Sequence, residues 1–310
     1  MNRLFIGPRL LAGIGQVTKR YADLCSGDYV EIGQRPPKMS YDKGFAFILP
    51  LENQLQIVAQ YATICKEMEY MSICETETVN PVYSLLVRFN KILVASEFCK
   101  EVFERQFPTL KCDILHLYAK PMPIPKSIKE IKGAYKFYTI GNIADPRKNI
   151  NMLLEVFQRF DPVCVNLILK ATCNQSIELK MPGVVVINGL LSDEHMESIH
   201  NSCDCYINCS HSEGVGMGAV EAALRSKPVI IPDYGGLKEY VKTPWVVPCK
   251  KGRIGFDDFL FTKDLVWGFP DREVLYNHMV DVFSKKINFY DHSHTRELMT
   301  NLESKLKIGG

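Results

Sequence analysis

One stretch narrows the folding choices of this chain more than any other: residues 204–241, DCYINCSHSEGVGMGAVEAALRSKPVIIPDYGGLKEYV. A short apolar strand (205–209) runs into a turn and a glycine-bearing loop, and a helix begins near Gly216 or Met217. A second buried strand (228–232) follows, ending at a Gly235-Gly236 turn. A strand that feeds a glycine loop opening a helix is suited to holding an anion. The first amides of the helix have no internal partner, and its dipole favours negative charge there. Gly214, Gly216 and Gly218 let backbone approach a ligand closely. Glu213 lies in the loop. Glu221 lies about one turn into the helix, with its side chain leaning back toward the N-terminus. Two carboxylates beside a phosphate loop are a poor choice if phosphate is the whole ligand. They make sense if the phosphate is the middle of a longer ligand with hydroxyls at both ends, the shape of a nucleotide sugar.

The remaining residues alternate between strand and helix patterns, which favours an α/β layout with parallel sheets. Residues 4–6 read as a first strand, Gly13-Ile14-Gly15 as a glycine loop and 16–24 as a helix. Strands are expected at 28–32, 45–50, 70–74, 91–95 and 113–117, with helical stretches at 55–68, 81–89 and 97–107. The opening run MNRLFIGPRLLAGIG is interrupted by Pro8 and Arg9, so a strand is preferred to a secretory signal. Between 120 and 136, Pro121, Pro123 and Pro125 precede Lys126, Lys129, Lys132 and Lys136. This composition suggests an extended linker and a domain boundary at 122/123. A solvated linker face is preferred there to contact with an anionic membrane. Beyond it come strands at 137–140, 163–170 and 184–187, with the last two expected to be buried on both faces. Helices are expected at 150–160, at 193–200 with Ser192 and Asp193 as candidate caps, and at 271–285 and 295–307.

With 310 residues there is room for two domains, and a net charge of +2 points to no nucleic-acid partner. Eleven cysteines, scattered and without CxxC pairs, fit buried thiols in a reducing cytoplasm better than a disulfide framework. No apolar run approaches the ~20 residues of a membrane-spanning helix.

Ser212-Glu213-Gly214-Val215-Gly216, Val220-Glu221-Ala222, Pro228-Val229-Ile230 and Gly235-Gly236 with Glu239 resemble the donor-site signature of the retaining glycosyltransferases of family 4. The likeness extends upstream through residues 188–194 and Lys148 and covers about the second half of the chain. It implies the GT-B fold: two Rossmann-like domains whose parallel sheets face each other across a cleft. By that resemblance 1–122 is a short acceptor-side domain, 123–286 the donor domain and 287–310 a helix returning to the first. The implied activity is transfer of a hexose from a nucleoside-diphosphate sugar to a hydroxyl of a glycan or other acceptor. GDP-mannose is favoured over UDP-glucose, and neither cofactor nor metal is required. Lys148 matches the lysine of the family's phosphate clamp, and Glu213 is placed on the reacting face of the sugar. Donor binding is implied for Glu221, Gly214, Val215, Gly216, Met217, Arg147, Asn142, Asn188, Leu190, Gly13 and Gly15. Asn142 stands where the family has an arginine, and Arg147 either replaces it or points into solvent. Where the family often has an acceptor-facing histidine, this chain has Cys74-Glu75-Thr76-Glu77, which makes Glu75 an acceptor-side candidate.

Blander roles stand beside these. Glu213 can cap the following helix. Cys209, His211 and the Gly-Gly turn shape the loop, which is preferred to His211 as a general base. Asp257-Asp258 lacks metal-binding DxD spacing, and Asp291-His292-Ser293-His294 reads as a turn. Residues 214–219 also fit GxGxxA with Asp233 on the next strand, the fingerprint of an NAD-dependent enzyme. A nucleotide-sugar binding protein without turnover is a third reading. A homodimer is left open.

Overall fold

The computed structural model describes residues 2–10, 13–120, 134–172, 176–258 and 260–308. These residues form two compact units. The first comprises residues up to 119, 253–266 and those from 297 on; the second comprises 120–252 and 267–296. The expected linker at 121–133 lies outside the described residues.

In the first unit β1 (Arg3–Gly7), α1 (Gly13–Leu24), β2 (Asp28–Glu31), β3 (Tyr41–Phe47), α2 (Glu52–Ala62) and β4 (Cys65–Ser72) follow in turn. A 3₁₀ stretch (Pro81–Phe89), β5 (Lys91–Val94), α3 (Glu97–Gln106) and β6 (Lys111–Ile114) complete the series. All six strands are parallel, in the order β2-β1-β3-β4-β5-β6. Alternation places Leu4, Ile6, Ala46, Ile92 and Val94 in one core with Val58, Tyr61, Val102 and Phe103 from the helices. Ser96 caps α3 by accepting from the Cys99 amide.

Two expectations shift here. The helix expected to reach residue 68 stops at Ala62, because Cys65–Ser72 pairs along β3 instead. Met68 is therefore a strand residue: long-range pairing overrides a local apolar spacing that fits either state. Gly13 and Gly15 are not a loop but the first turn of α1. A side chain at Gly15 would meet the carbonyl oxygens of Arg9 at 2.3 Å and Pro8 at 2.5 Å, so glycine lets the chain fold back on the helix start.

The second unit starts with β7 (Tyr135–Gly141), a 3₁₀ turn (Pro146–Lys148), α4 (Ile150–Phe157), β8 (Val165–Ala171), β9 (Val184–Ile187) and α5 (Asp193–Ser202). It continues with β10 (Cys205–Ile207), α6 (Met217–Leu224), β11 (Val229–Pro232), α7 (Leu237–Tyr240) and β12 (Val246–Val247). Then come β13 (Cys249–Arg253) and β14 (Val266–Pro270), which pair as a separate ribbon, and α8 (Arg272–Ser284). The last helix, α9 (Ser293–Ile308), begins in this unit and contributes to the first from residue 297. Six parallel strands run β12-β11-β10-β7-β8-β9. Phe137, Leu167, Leu169, Cys205 and Ile207 face a core shared with Leu153 and Val156 of α4 and Leu275 and Met279 of α8. Alternate residues Tyr138 and Tyr206 pack edge to face, their ring centroids 5.0 Å apart, with Tyr138 hydrogen-bonded to His200 of α5. Helices thus serve both faces of the sheet.

Lys136, expected in the linker, is a buried β7 residue whose amide donates to Asp204 Oδ2 at 2.7 Å. The run at 184–187, expected to be buried on both faces, is the sheet's edge strand, and Val185 is 49% exposed.

Candidate active site

Strand order locates the site. In the second sheet β8 and β9 extend from β7 in one direction, and β10, β11 and β12 in the other. β7 and β10 are thus the neighbours at which the strand order reverses, and in a parallel sheet of this kind the crevice lies outside their carboxyl ends. An open recess lies there, lined by Gly141, Lys148, Asn208, Ser210, Glu213 and the start of α6, among others. Gly216, at φ +77°, turns the chain into α6, whose first amides, Met217 and Gly218, lie at the recess. A side chain at Gly218 would strike Tyr206 Oη at 2.3 Å, so glycine is required for that helix to sit against β10.

The two loops are stitched together. The His211 amide donates to the Arg147 carbonyl at 2.8 Å, and Asn149 Nδ2 donates to the Cys209 carbonyl at 3.2 Å. Cys209 Sγ lies 3.4 Å from the Lys148 carbonyl. The Gly-Gly turn holds the next residues: Gly236 N–H donates to the Glu213 carbonyl at 3.0 Å, and Gly235 has φ +81°.

On this frame the Glu213 side chain, 5% exposed, sits between two cations. Lys148 Nζ is 2.5 Å from Oε1 and Arg147 Nη1 is 3.1 Å from Oε2. Ser210 Oγ donates to Oε1 at 2.7 Å, with Asn208 Nδ2 at 3.4 Å. Burial works to raise this carboxyl's pKa, but Lys148, Arg147 and the hydrogen bonds outweigh it and hold the group at about 2. Arg147 is further fixed by the Ser212 carbonyl at 2.8 Å and Asp145 Oδ2 at 3.3 Å. Its side chain is 12% exposed, so it turns inward onto Glu213 rather than into solvent.

The residues singled out in the sequence divide sharply. Lys148, Glu213, Gly216 and Met217 line the recess; Gly214 and buried Val215 form the turn between them. Glu221 lies one turn into α6 with its side chain 16% exposed, and its Oε2 is 4.0 Å from His200 Nε2. Burial and, less, the Lys227 cation depress His200 to about 3, so this ring is neutral. Asn142 is exposed and folds back on the Ala144 amide at 3.3 Å, outside the recess lining. Asn188 has an amide group that accepts from and donates to the Ile177 backbone, both at 2.9 Å; it pins a loop and is not among the residues lining the recess. Leu190 is 60% exposed and does not line the recess either. Gly13 and Gly15 belong to the first unit, as does Glu75, half-buried just past the end of β4.

Asn208 and Ser210 are site residues that sequence reasoning missed. The signal was present, since two polar residues at the carboxyl end of a buried strand need hydrogen-bond partners there. His211 stacks on Trp267 with centroids 4.7 Å apart, and its Nδ1 is 2.9 Å from the Gly268 carbonyl. Burial lowers its pKa, with Gly268 pulling the other way. It shapes the loop. Asp257 and Asp258 accept backbone amides of residues 260, 261 and 263 in a surface turn. His292 and His294 bond the Lys227 and Glu239 carbonyls, each at 2.8 Å, and Asp291 pairs with Arg296. Among the described residues no group of three His, Cys, Asp or Glu is placed to hold a metal ion, and no helix is long and apolar enough to cross a membrane. The dinucleotide fingerprint loses its context: residues 208–216 separate β10 from α6, whereas that fingerprint needs a tight strand-to-helix turn.

Residues 124–244 match the family described as Glycosyl transferases group 1. No curated protein matches the chain. Among solved structures, the pneumococcal O-GlcNAc transferase GtfA in complex with UDP and GlcNAc aligns at TM-score 0.57 and 11% identity over 95% of this chain. The α,α-trehalose 6-phosphate synthase of Burkholderia multivorans aligns at TM-score 0.54 and 10% identity over 86%. A point mutant of S. aureus TarM, in complex with Fondaparinux, α-GlcNAc-glycerol and UDP, aligns at TM-score 0.52 and 11% identity over 86%. The chain spans 58%, 67% and 51% of those three proteins. At such identities the likeness speaks for architecture, and the architecture is α/β of the GT-B type.

Proposed function

We propose that the chain is a retaining glycosyltransferase of the family 4 kind, moving a hexose from a nucleoside-diphosphate sugar to a hydroxyl of a glycan or related acceptor. Fold alone does not carry an activity. The observation that does is the buried Glu213 carboxylate held against Lys148 and Arg147, beside the open N-terminus of α6. Such a site offers donors for a departing diphosphate and an acid for positive charge developing on the sugar. That donor set needs no metal to supply the cation.

In this reading the second unit holds the donor, with its diphosphate at the α6 N-terminus and Glu221 on the ribose. The acceptor falls to the first unit, with Glu75 as its acid. The sugar's bond to the leaving phosphate breaks, and the acceptor oxygen bonds to the same carbon on the same face. The acceptor's proton passes to the departing phosphate oxygen, so the anomeric configuration is kept. GDP-mannose is the first donor proposed and UDP-glucose the second. Calorimetric titration with a set of nucleotide sugars and with NAD tests the reading, followed by detection of slow hydrolysis of the bound donor. Binding of NAD and of no nucleotide sugar would end it, and binding without any hydrolysis or transfer would reduce it to a binding protein. Glu221→Ala is expected to weaken the free nucleoside diphosphate; equal affinity removes the ribose assignment.

A further inference from the structure

The charges of the cluster around Glu213 cancel. Lys148 and Arg147 contribute two positive charges, and Glu213 and Asp145, their salt-bridge partners, contribute two negative ones. A diphosphate arriving at the α6 N-terminus meets a clamp whose cations are already engaged. The two cations differ in how firmly they are held. Arg147 is pinned by the Ser212 carbonyl and by two carboxylates. Lys148 has a flexible stem lying over Gly141, where an added Cβ would come within 3.3 Å of its Cε. Glu213 can also stay in place without the lysine, because Ser210 Oγ and Asn208 Nδ2 still reach Oε1.

We infer that Glu213 competes with the donor's diphosphate for the cation clamp, as its internal stand-in. On binding, the diphosphate takes Lys148 from it and leaves the carboxylate to Ser210, Asn208 and Arg147. The inference rests on the glycosyltransferase reading and deepens it: donor binding releases the acid that the sugar then requires. Ser210 and Asn208 become positioning residues, keeping Oε1 in place once the lysine has moved. A diphosphate, with more than one negative charge and the helix amides beside it, is the stronger attractor for the ammonium group.

The test is calorimetric titration with inorganic pyrophosphate at low salt. Glu213→Gln is expected to bind about tenfold more tightly than wild type, since one charge-assisted contact no longer has to be given up. In a Lys148→Ala background that gain should shrink, since only Arg147 remains to be released. Asp145→Asn keeps a capping side chain and removes a charge from Arg147, so it should tighten binding by a smaller factor; it serves if Glu213→Gln does not fold. Glu155→Gln, which removes an equal charge from an exposed pair with Arg272, should change nothing. Affinity in Glu213→Gln equal to or weaker than wild type overturns the inference. So does a gain undiminished by loss of Lys148, an unchanged Asp145→Asn, or no pyrophosphate binding by any form. Turnover of a nucleotide sugar alongside such a result leaves the glycosyltransferase reading standing. Tightened pyrophosphate binding by a protein that takes no nucleotide sugar does the reverse.

Discussion

Glu213 is held by Lys148, Arg147, Ser210 and Asn208, and its charge state governs what those contacts are worth. Its ordinary pKa is 4.5 and the folded protein holds it at about 2. A depressed carboxyl stabilises the fold above its unfolded value and loses that contribution as pH falls toward the folded value. Stability from this residue should therefore be intact at pH 7, begin to fall near pH 4.5 and be gone near pH 2. At ~1.4 kcal/mol per unit this is on the order of 3 kcal/mol. Denaturant titrations of wild type and Glu213→Gln across that window check it: the variant should show a shallower decline. Lys148→Ala should cost donor affinity about 1.5–3 kcal/mol, one charge-assisted contact, read by titration with the cognate nucleotide sugar. An unchanged affinity there removes Lys148 from the clamp. Both residues were legible in the sequence, one as a loop acid before a glycine turn and one as a lysine closing a βα loop. What could not be read was that they touch, because 65 residues separate them.

At the scale of elements, glycines mark where backbone must pass backbone. A Cβ at Gly235 would lie 2.3 Å from the Glu213 carbonyl oxygen, at a φ of +81° that L residues rarely adopt. Gly235→Ala should cost about 1–3 kcal/mol in denaturant unfolding and shift the loop that carries Glu213. Gly13, with no atom within 4 Å of an added Cβ, offers the contrast. It is a helical residue, so Gly13→Ala should stabilise by about 0.4–1 kcal/mol in the same assay. The sequence suggested loops at both positions. It was right at Gly235, where two successive glycines follow a strand and break any helical pattern. It was wrong at Gly13, where one glycine pair before an amphipathic run looks the same whether it precedes the helix or opens it.

At the scale of the whole molecule, the first unit draws on three separate pieces of chain. From the last of these, Met299 and Leu302 are 4% and 5% exposed, Glu303 accepts from Tyr118 Oη at 2.7 Å, and Leu306 meets Cys25. Deleting everything after residue 296 should destabilise the first unit by about 2–5 kcal/mol or more, since two buried large side chains go with it. The second unit, whose core contains none of them, should keep its protection. Hydrogen exchange read by mass spectrometry separates the two outcomes, and equal protection in both units of the truncated protein would count against the assignment. The sequence by itself determined the alternation of strands and helices, the glycine turn at the head of α6 and the types of residue available to a phosphate, because these depend on local periodicity, backbone freedom and charge. Only the tertiary structure decided that β7 and β10 are neighbours, that Lys148 and Arg147 meet Glu213 between them, and that Asn188 faces its own loop. Strand order is set by contacts between residues far apart in the chain, and no local pattern encodes which distant loops come to share a crevice.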